Sequence, residues 1–285
     1  MKLREKIEER FFKVLMIMAT WFILAILALI IFSIFEKGIK AISWEILSQT
    51  PKGGYYYGKG GGILNAITGS LVLAVGATVL AFVIGLPVAL YINVFLVKRK
   101  KLVSIIRFIL DLVWGIPSIV YGAFGFTLMV IIGLQTSLLA GIITVTLFIL
   151  PIMIRSMDEI LRTVPIGLME ASLSLGTNKS ETAFRIFTRQ TVSGIITAVL
   201  LSFGRGIGDA ASVLFTAGYT DNLPNSLLEP VATLPLSIFF QLSSPVPEVQ
   251  ARAYASALVL TVIILVASLF SRGLGRRYHK TKINF

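Results

Sequence analysis

The sequence predicts an all-α integral membrane protein with six membrane-spanning helices. The 285 residues are 56% hydrophobic and only 14% charged, with a mean hydropathy of +0.88, far from the composition of an ordinary soluble domain. Several uncharged stretches also reach the length of about 20 residues that a helix needs to cross a hydrocarbon core of about 30 Å. Since the chain has no cysteine, a disulfide framework and a thiolate metal site are excluded.

The uncharged stretches give the spans in chain order. The 22 uncharged residues between Lys13 and Glu36 form one span, and the segment that follows, 36–62, is an outer loop. The 43 uncharged residues between Asp111 and Arg155 are long enough for two spans that meet at a tight turn. The predicted spans are therefore 14–35, about 64–96, two spans separated by the turn at 133–137, about 193–218, and 253–271.

The basic residues predict how the chain is oriented. Of the 26 Lys and Arg residues, 20 lie in the two tails, in 98–107 and in 155–189, whereas five lie in the outer segments and Arg205 lies within a span. This asymmetry places both termini, the tail 1–13 and the tail 272–285, in the cytoplasm. The net charge of +12 could suggest a nucleic-acid partner, but the charges flank apolar spans, so we expect contact with membrane lipid and no nucleic acid. Because five more spans follow the first, it is expected to be a signal anchor rather than a cleaved signal peptide.

Four residues near the ends of the second and third spans have expected structural roles. Pro87, two residues after Gly85, predicts a kink or break in the second span. Pro117 predicts a bend in the third helix, which is equally compatible with a gate hinge and with a simple kink. Asp111 is expected to pair with Arg107, one helical turn earlier, in a structural role at the cytoplasmic edge.

The polar segment at 155–190 predicts two short helices that project from the cytoplasmic face. Pro165 can start the first helix, and Gly176 can end it because glycine tolerates the left-handed backbone of a helix terminus. The second helix is expected to run from Ser180 to about Phe187. Two helices without a core of their own expose an apolar face, which suits a partner's groove or, alternatively, a lipid surface. The exposed apolar side chains are expected to be Phe184, Ile186 and Phe187.

An arginine lies deep in the predicted fifth span. Arg205 lies about 14 residues beyond the cytoplasmic start of that helix, or about 20 Å deep, where an arginine costs roughly 2.5–3.5 kcal/mol. Asp209 lies one turn further on, and glycines that include Gly208 let a neighbouring helix or a small solute approach closely. We interpret Arg205, Gly208 and Asp209 as part of a solute pathway. The alternative is an ion pair that only holds the bundle together.

The chemistry of this pair favours phosphate. A permanently charged guanidinium favours an oxyanion, which it can hold through two hydrogen bonds. A carboxylate beside it repels most anions but can accept a proton from an anion that still carries an O–H group. Phosphate keeps such protons at neutral pH and sulfate does not, so Arg205 and Asp209 together prefer phosphate.

The segment at 155–190 also resembles the EAA loop of ABC-importer permeases. The pattern of that loop is Glu-Ala-Ala, three residues, Gly, nine residues, Ile, any residue and Leu-Pro. The chain departs from the pattern at Ser172, where the second Ala stands, and at Thr188-Arg189, where Leu-Pro stands. It matches at Glu170, Ala171, Gly176 and Ile186. The resemblance implies the type I ABC-importer permease (MetI-like) fold, with a five-helix permease core at 63–271.

Over nearly the whole stretch from Gly60 to Phe270, the chain resembles the PstA-type permeases of phosphate-specific ABC importers. Family members usually carry Glu and Pro at the positions of Asp209 and Ser212. The matching tracts include Pro117-Ser118-Ile119-Val120, Arg205 with Gly208, and Leu214-Phe215-Thr216-Ala217.

The resemblance implies a transport subunit with no cofactor and no catalytic residues of its own. The chain has no GxxxxGK[ST] loop to hold nucleotide phosphates, so ATP hydrolysis is expected on a PstB-type ATPase dimer. A PstC-type sibling permease is implied as the other half of the pathway, and a PstS-type phosphate-binding protein is expected to dock outside, on residues 219–250. The alternatives are a permease for sulfate or molybdate and a secondary carrier without an ATPase. The residues expected to contact the ATPase are Glu170, Ala171, Ser172, Gly176, Phe184 and Ile186.

Overall fold

The computed structural model describes residues 3–52 and 60–278, and the regular secondary structure of this part of the chain is helical, with one isolated bridge between Pro51 and Gly61. Parts of the predicted outer loop 36–62 and of the tail 272–285 lie outside the described residues. The helices are α1 Leu3–Ala41, α2 Trp44–Ser48, α3 Leu64–Leu90, α4 Lys100–Trp114, α5 Ser118–Ile131, α6 Leu138–Leu161, α7 Ile166–Ser174, α8 Lys179–Glu181, α9 Thr188–Ile207, α10 Leu234–Gln241 and α11 Pro247–Tyr278, with π-helical segments at Tyr91–Phe95 and Thr182–Phe187.

Helix α1 contains the predicted first span and extends beyond it at both ends. Its apolar stretch is exposed along its whole length, because α1 touches the rest of the chain mainly near its C-terminal end. There Lys37 Nζ donates a hydrogen bond to the Tyr254 hydroxyl at 3.1 Å, and Gly38 lies against Leu258 of α11. The long apolar surface of α1 is therefore left for lipid or for another subunit.

The second span agrees closely with its prediction. A continuous helix runs over Leu64–Phe95, and Pro87 lies inside it without breaking it. Proline removes one backbone donor, and the helix widens into the π-helical segment Tyr91–Phe95 within the next turn.

Helix α6 lies at the centre of the fold. It packs against α3, α4, α5 and α9, and most of its apolar stretch is buried. Small residues on α3 allow close packing with α6; Ala74, Ala77 and Ala81 are all fully buried. The largest fully buried side chains of α6 are Ile149, Met153, Met157 and Leu161.

The third span is a broken helix rather than a single bent one. Helices α4 and α5 meet at an angle of 93°, and Pro117 is the N-cap residue of α5, where a proline needs no backbone donor. From the start of α4 to α5, the bent pair contacts α6 at positions progressively closer to the N-terminus of α6. Arg107 pairs with Asp158, and farther along the bent pair Tyr121 packs against Phe148. Counted as one broken span beside α6, the bent pair raises the number of candidate spans in the described chain from five to six.

The predicted bounds of the fifth span, 193–218, were wrong. The helix runs over Lys179–Ile207, so it begins within the 155–190 segment and ends 11 residues before the predicted end. Glycines at 204, 206 and 208 weaken its last turn, and the Asp209 carboxylate accepts the Ser212 N–H at 2.7 Å, which stabilises a local turn. Hydropathy alone did not locate this end, because residues 210–217 remain apolar.

The sixth span is longer than its prediction of 253–271. Helix α11 runs over Pro247–Tyr278, because a helix continues past its apolar stretch wherever polar residues can reach water. Before it, the short helix α10 lies in the segment 219–250, capped by the Thr233 side chain.

Candidate pathway and loop surfaces

Arg205 lies in the last turn of α9 with its side chain exposed. Its guanidinium carbon lies 5.4 Å from the centre of the Phe148 ring, a cation–π contact. Within the described chain it forms no ion pair and no hydrogen bond. The alternative of an Arg205–Asp209 ion pair is therefore wrong for this structure, since α9 ends at Ile207 and Asp209 no longer lies one helical turn from Arg205.

The glycines around Arg205 have different surroundings. A Cβ added at Gly206 would lie 3.2 Å from Val145, so this glycine allows α9 to pack closely against α6. A Cβ at Gly208 would lie 3.3 Å from the Gly204 carbonyl oxygen and 3.6 Å from Ile264. Beside Arg205, a Cβ at Gly204 would meet no described atom within 4 Å. The surface next to the guanidinium is therefore open to a solute or to another subunit.

A groove of about 400 Å³ lies beside Arg205 between α9 and α11. Its walls are mostly apolar, and a second cation, Arg272, also lines it. The size is in the range of small-molecule sites. The α9 side of the groove is formed by Thr197, Leu200, Leu201, Gly204 and Arg205.

The 155–190 segment forms the predicted helix, turn and helix. Helix α7 starts after Pro165, and Gly176 has a φ of +85°, the left-handed conformation that favours glycine. The second helix starts one residue earlier than predicted. Asn178 is its N-cap and accepts the Glu181 N–H, while the Glu181 carboxylate accepts the Asn178 N–H.

Ser172, the residue that departs from the EAA pattern, is buried and holds the turn together. Its hydroxyl lies 2.6 Å from that of Thr177 and 3.0 Å from that of Thr182, so it links α7 to the second helix. An alanine could not make either hydrogen bond. The serine is therefore a stabilising replacement within this loop.

The loop also presents a surface with apolar side chains. Glu170, Ala171 and Gly176 are exposed, Leu175 is 86% exposed and Phe184 is 55% exposed. Ile186 is partly buried. The expectation for Phe187 was wrong: it is only 4% exposed, because it packs into the main core from the start of the long helix.

An ion cluster lies near the loop, and sequence reasoning missed its central residue. The Asp158 carboxylate is fully buried on α6 and accepts hydrogen bonds from Arg107 Nε and Nη2 at 2.8 and 2.9 Å. It also accepts from Asn93 Nδ2 at 2.8 Å and from Arg155 Nη1 at 3.1 Å. A buried carboxylate with this many donors is well compensated.

The predicted Arg107–Asp111 pair is wrong. Asp111 instead accepts from Arg155 Nε at 2.7 Å. Each acid pairs with an arginine across the contact between α4 and α6: Arg107 and Asp111 lie on α4, and their partners lie on α6. The cluster ties α4 and the π-helical segment Tyr91–Phe95 to α6. One signal was available: Asp158 follows Arg155 by three residues at the polar end of an apolar helix.

The segment 219–250 folds against the ends of α3 and α11. The Ser70 hydroxyl accepts the Leu234 N–H at 2.7 Å, and Asn65 Nδ2 donates to the Thr220 carbonyl at 2.6 Å. Arg252 Nη2 donates to the Gly60 carbonyl at 2.7 Å. The exposed apolar side chains of this segment are Leu223, Leu227, Leu228, Phe239 and Leu242.

Solved structures and relatives share this architecture. The fold resembles the inward-facing MetNI methionine ABC transporter with a TM-score of 0.63 at 18% identity, over 76% of this chain and 95% of that chain. The chain is 35% identical to the phosphate transport system permease protein PstA of Yersinia pestis, over 85% of this chain and 81% of that protein. For the protein of the same name from Pasteurella multocida the identity is 32%, over 94% of each.

A third relative, the phosphate transport system permease protein PstA of Mycobacterium leprae, is 37% identical over 78% of this chain and 72% of that protein. Residues 81–280 match the family described as the binding-protein-dependent transport system inner membrane component. This match covers most of the described core, including the 155–190 loop and Arg205. The chain is thus a multi-pass membrane protein that belongs to the binding-protein-dependent transport inner membrane components, among the PstA-type permeases.

Proposed function

We propose that this chain is the permease subunit of an ATP-driven importer of inorganic phosphate and forms one half of its pathway. The observation that carries the proposal is Arg205, an exposed guanidinium in the last turn of a membrane-spanning helix that has no anionic partner in the described chain. Relatives named as phosphate transport permeases align over most of the chain. A cation left open beside a bare glycine suits a passing oxyanion.

In this mechanism Arg205 attracts phosphate, and the carboxylate of Asp209 keeps the anion from binding too tightly. Asp209 is only partly buried and one of its oxygens is held by the Ser212 N–H, so its other oxygen can accept a proton from phosphate. Because Arg205 faces outward from the single chain, the opposite wall of the pathway is assigned to a PstC-type sibling permease.

Coupling to ATP hydrolysis is assigned to the 155–190 loop. The exposed surface around Glu170, Leu175 and Phe184 suits a groove on a PstB-type ATPase dimer in the cytoplasm. From this loop a continuous helix of 29 residues, Lys179–Ile207, reaches Arg205, a length of about 43 Å. A push on the loop would therefore move the arginine directly, since one rigid helix carries both.

Delivery of phosphate is assigned to a PstS-type binding protein at the opposite end. The segment 219–250 offers it exposed apolar side chains, including Leu228 at 63% and Phe239 at 57% exposure. These side chains lie on a segment held by buried hydrogen bonds to α3, so they form a fixed surface.

The central test is uptake of labelled phosphate, with sulfate as competitor, by vesicles that contain the assembled complex. Arg205→Ala is expected to abolish ATP-driven phosphate uptake while the complex still assembles, because it removes the attraction for the anion and costs the described chain no ion pair, only the contact with the Phe148 ring. Arg205→Lys should retain part of the uptake, since it keeps the charge but loses bidentate geometry. Near-normal uptake by Arg205→Ala would remove this residue from the pathway, and competition by sulfate would redirect the substrate assignment.

A further inference from the structure

A second cationic site adjoins the ion cluster, with which it shares Arg107, at the end of the bundle that carries the 155–190 loop. It is a cavity of about 480 Å³ between the start of α4, the end of α6 and helix α7. Its floor is apolar and well buried, with Ile92 at 2%, Leu161 at 0% and Phe187 at 4% exposure. Its charged lining residues are Lys100, Arg107 and Arg162, and no acidic side chain lines it in the described part of the chain.

Two of these three charges are not neutralised. Arg107 is matched by Asp158, although its Nη1 makes no hydrogen bond to a described residue. Lys100 and Arg162 are exposed, and neither forms an ion pair within the described residues. The cavity therefore presents two free cations and a spare guanidinium donor above an apolar floor.

The start of α4 adds further positive charge near the cavity. Four basic residues in succession, at 98–101, occupy the N-terminus of a 15-residue helix. The helix dipole makes that end positive, yet the first turn contains no acidic residue and the N-cap Arg99 makes no side-chain cap hydrogen bond. An anion in the cavity would offset a repulsion that the chain itself leaves uncompensated.

The surroundings favour a lipid over a soluble anion. Apolar side chains line the same cavity as the charges, among them Ile166, which is 62% exposed, and the buried Val103 and Val164. Cationic groups and exposed apolar surface in one cavity match the headgroup and the upper acyl chains of a phospholipid. Basic pockets between membrane helices are a recognised setting for acidic headgroups.

We propose that this cavity binds the phosphate group of an anionic phospholipid through Lys100, Arg162 and Arg107. The bound headgroup bridges α4 to α7, and so joins the broken third span to the loop assigned to the ATPase. This site is independent of the phosphate pathway, because Arg205 does not line it.

The test uses the full chain purified with its partner subunits in nanodiscs of phosphatidylcholine with phosphatidylglycerol. Native mass spectrometry then counts the phosphatidylglycerol molecules that remain bound. We expect Lys100→Gln with Arg162→Gln to weaken retention about tenfold or more, since each lost contact is a charge-assisted hydrogen bond. The matched control, Lys98→Gln with Lys101→Gln, removes the same charge from the same end but no lining residue, and should retain the lipid.

Conservative replacement separates binding from folding. Lys100→Arg with Arg162→Lys keeps both charges and is expected to retain the lipid. Equal loss in the two glutamine double variants would overturn the proposal, because diffuse attraction would then explain it. Displacement of the lipid by inorganic phosphate would assign the cavity to a free ion instead. Retention of the lipid only in complexes prepared without the ATPase would assign the cavity to a protein contact.

Discussion

At the residue scale, the fully buried Asp158 is the charge on which the loop end of the bundle depends. It faces Arg107 and Arg155, whose side chains are 23% and 16% exposed. Asp158→Asn leaves Arg107 without its counter-ion, although Arg155 keeps Asp111 and Glu159, and we expect a loss of about 3 kcal/mol of stability. Thermal unfolding of the purified complex measures this as a fall in Tm of about 6 °C or more.

The matched control is Asp111→Asn. Asp111 bonds the same Arg155 but its side chain is 49% exposed, so its loss should cost about 1 kcal/mol or less. Equal falls in Tm for the two variants would show that burial does not decide the strength of this cluster.

A second residue, Asp221, gives the protein a pH-dependent contribution to stability. Burial raises the pKa of this carboxyl above its ordinary value of 3.8, and the charge of Arg252 only partly opposes the shift. Because the pKa of Asp221 is raised in the folded state, the contribution of this carboxyl to stability is fully present below pH 3.8. That contribution is lost as the pH rises through the folded-state pKa. Asp221→Asn is therefore expected to raise Tm near neutral pH by about 2 °C or less, and to have no effect in acid. A rise that persists in acid would contradict this origin.

Arg205 and Gly176 could be located from the sequence, but the pairing within the ion cluster around Asp158 could not. Arg205 was found because a charge in an apolar run is rare, and Gly176 because a helix must stop there. The Arg107 pairing was predicted wrongly because a pair within one helix can be read from spacing, whereas the actual partner Asp158 is 51 residues away. Such long-range pairing depends on how α4 lies against α6, which composition does not encode.

At the element scale, the 155–190 loop and α9 form one mechanical unit. Gly176 ends α7 with a φ of +85°, and no atom of the described residues lies within 4 Å of a Cβ built there, so backbone strain is the effect expected of a substitution. Gly176→Ala should cost about 1–2 kcal/mol in loop order, and Gly176→Pro more, because proline fixes φ near −65°. We expect a graded loss of ATPase stimulation by loaded binding protein, complete for proline.

Gly167→Ala is the control for this series. Gly167 lies inside α7 with equally open surroundings but no positive φ, so alanine should leave coupling unchanged and favour the helix by up to about 1 kcal/mol. Full stimulation of the ATPase in Gly176→Pro would separate the loop from coupling.

Element ends explain where prediction from the sequence failed. Apolar runs located the second span to within about a residue, because the helix Leu64–Phe95 lies inside the uncharged stretch 60–97. The fifth span was misplaced because its last apolar residues, 210–217, leave the helix and form turns. A bend at Pro117 was predicted for the third span, but the angle of 93° between α4 and α5 could not be predicted from the sequence. That angle depends on how both helices pack against α6.

At the scale of the whole molecule, six crossings place the loop 155–190 and the segment 219–250 at opposite ends. The helix Lys179–Ile207 connects them, and an odd number of crossings between two segments requires opposite sides of the membrane. The excess of Lys and Arg at the loop end predicts that this end faces the cytoplasm.

Cysteine labelling can test this orientation without background, because the natural chain has no cysteine. Ser180 and Asn222 are both exposed polar residues, one in the loop and one in the outer segment. In intact cells a membrane-impermeant maleimide is expected to label Asn222→Cys and to leave Ser180→Cys unlabelled, and in inverted vesicles the pattern should reverse. Labelling of both from one side would mean that the helix between them does not cross, and the rigid connection from ATPase to Arg205 would then be lost. The reverse labelling pattern would show that the loop end faces outward, and the orientation predicted from the basic residues would then be wrong.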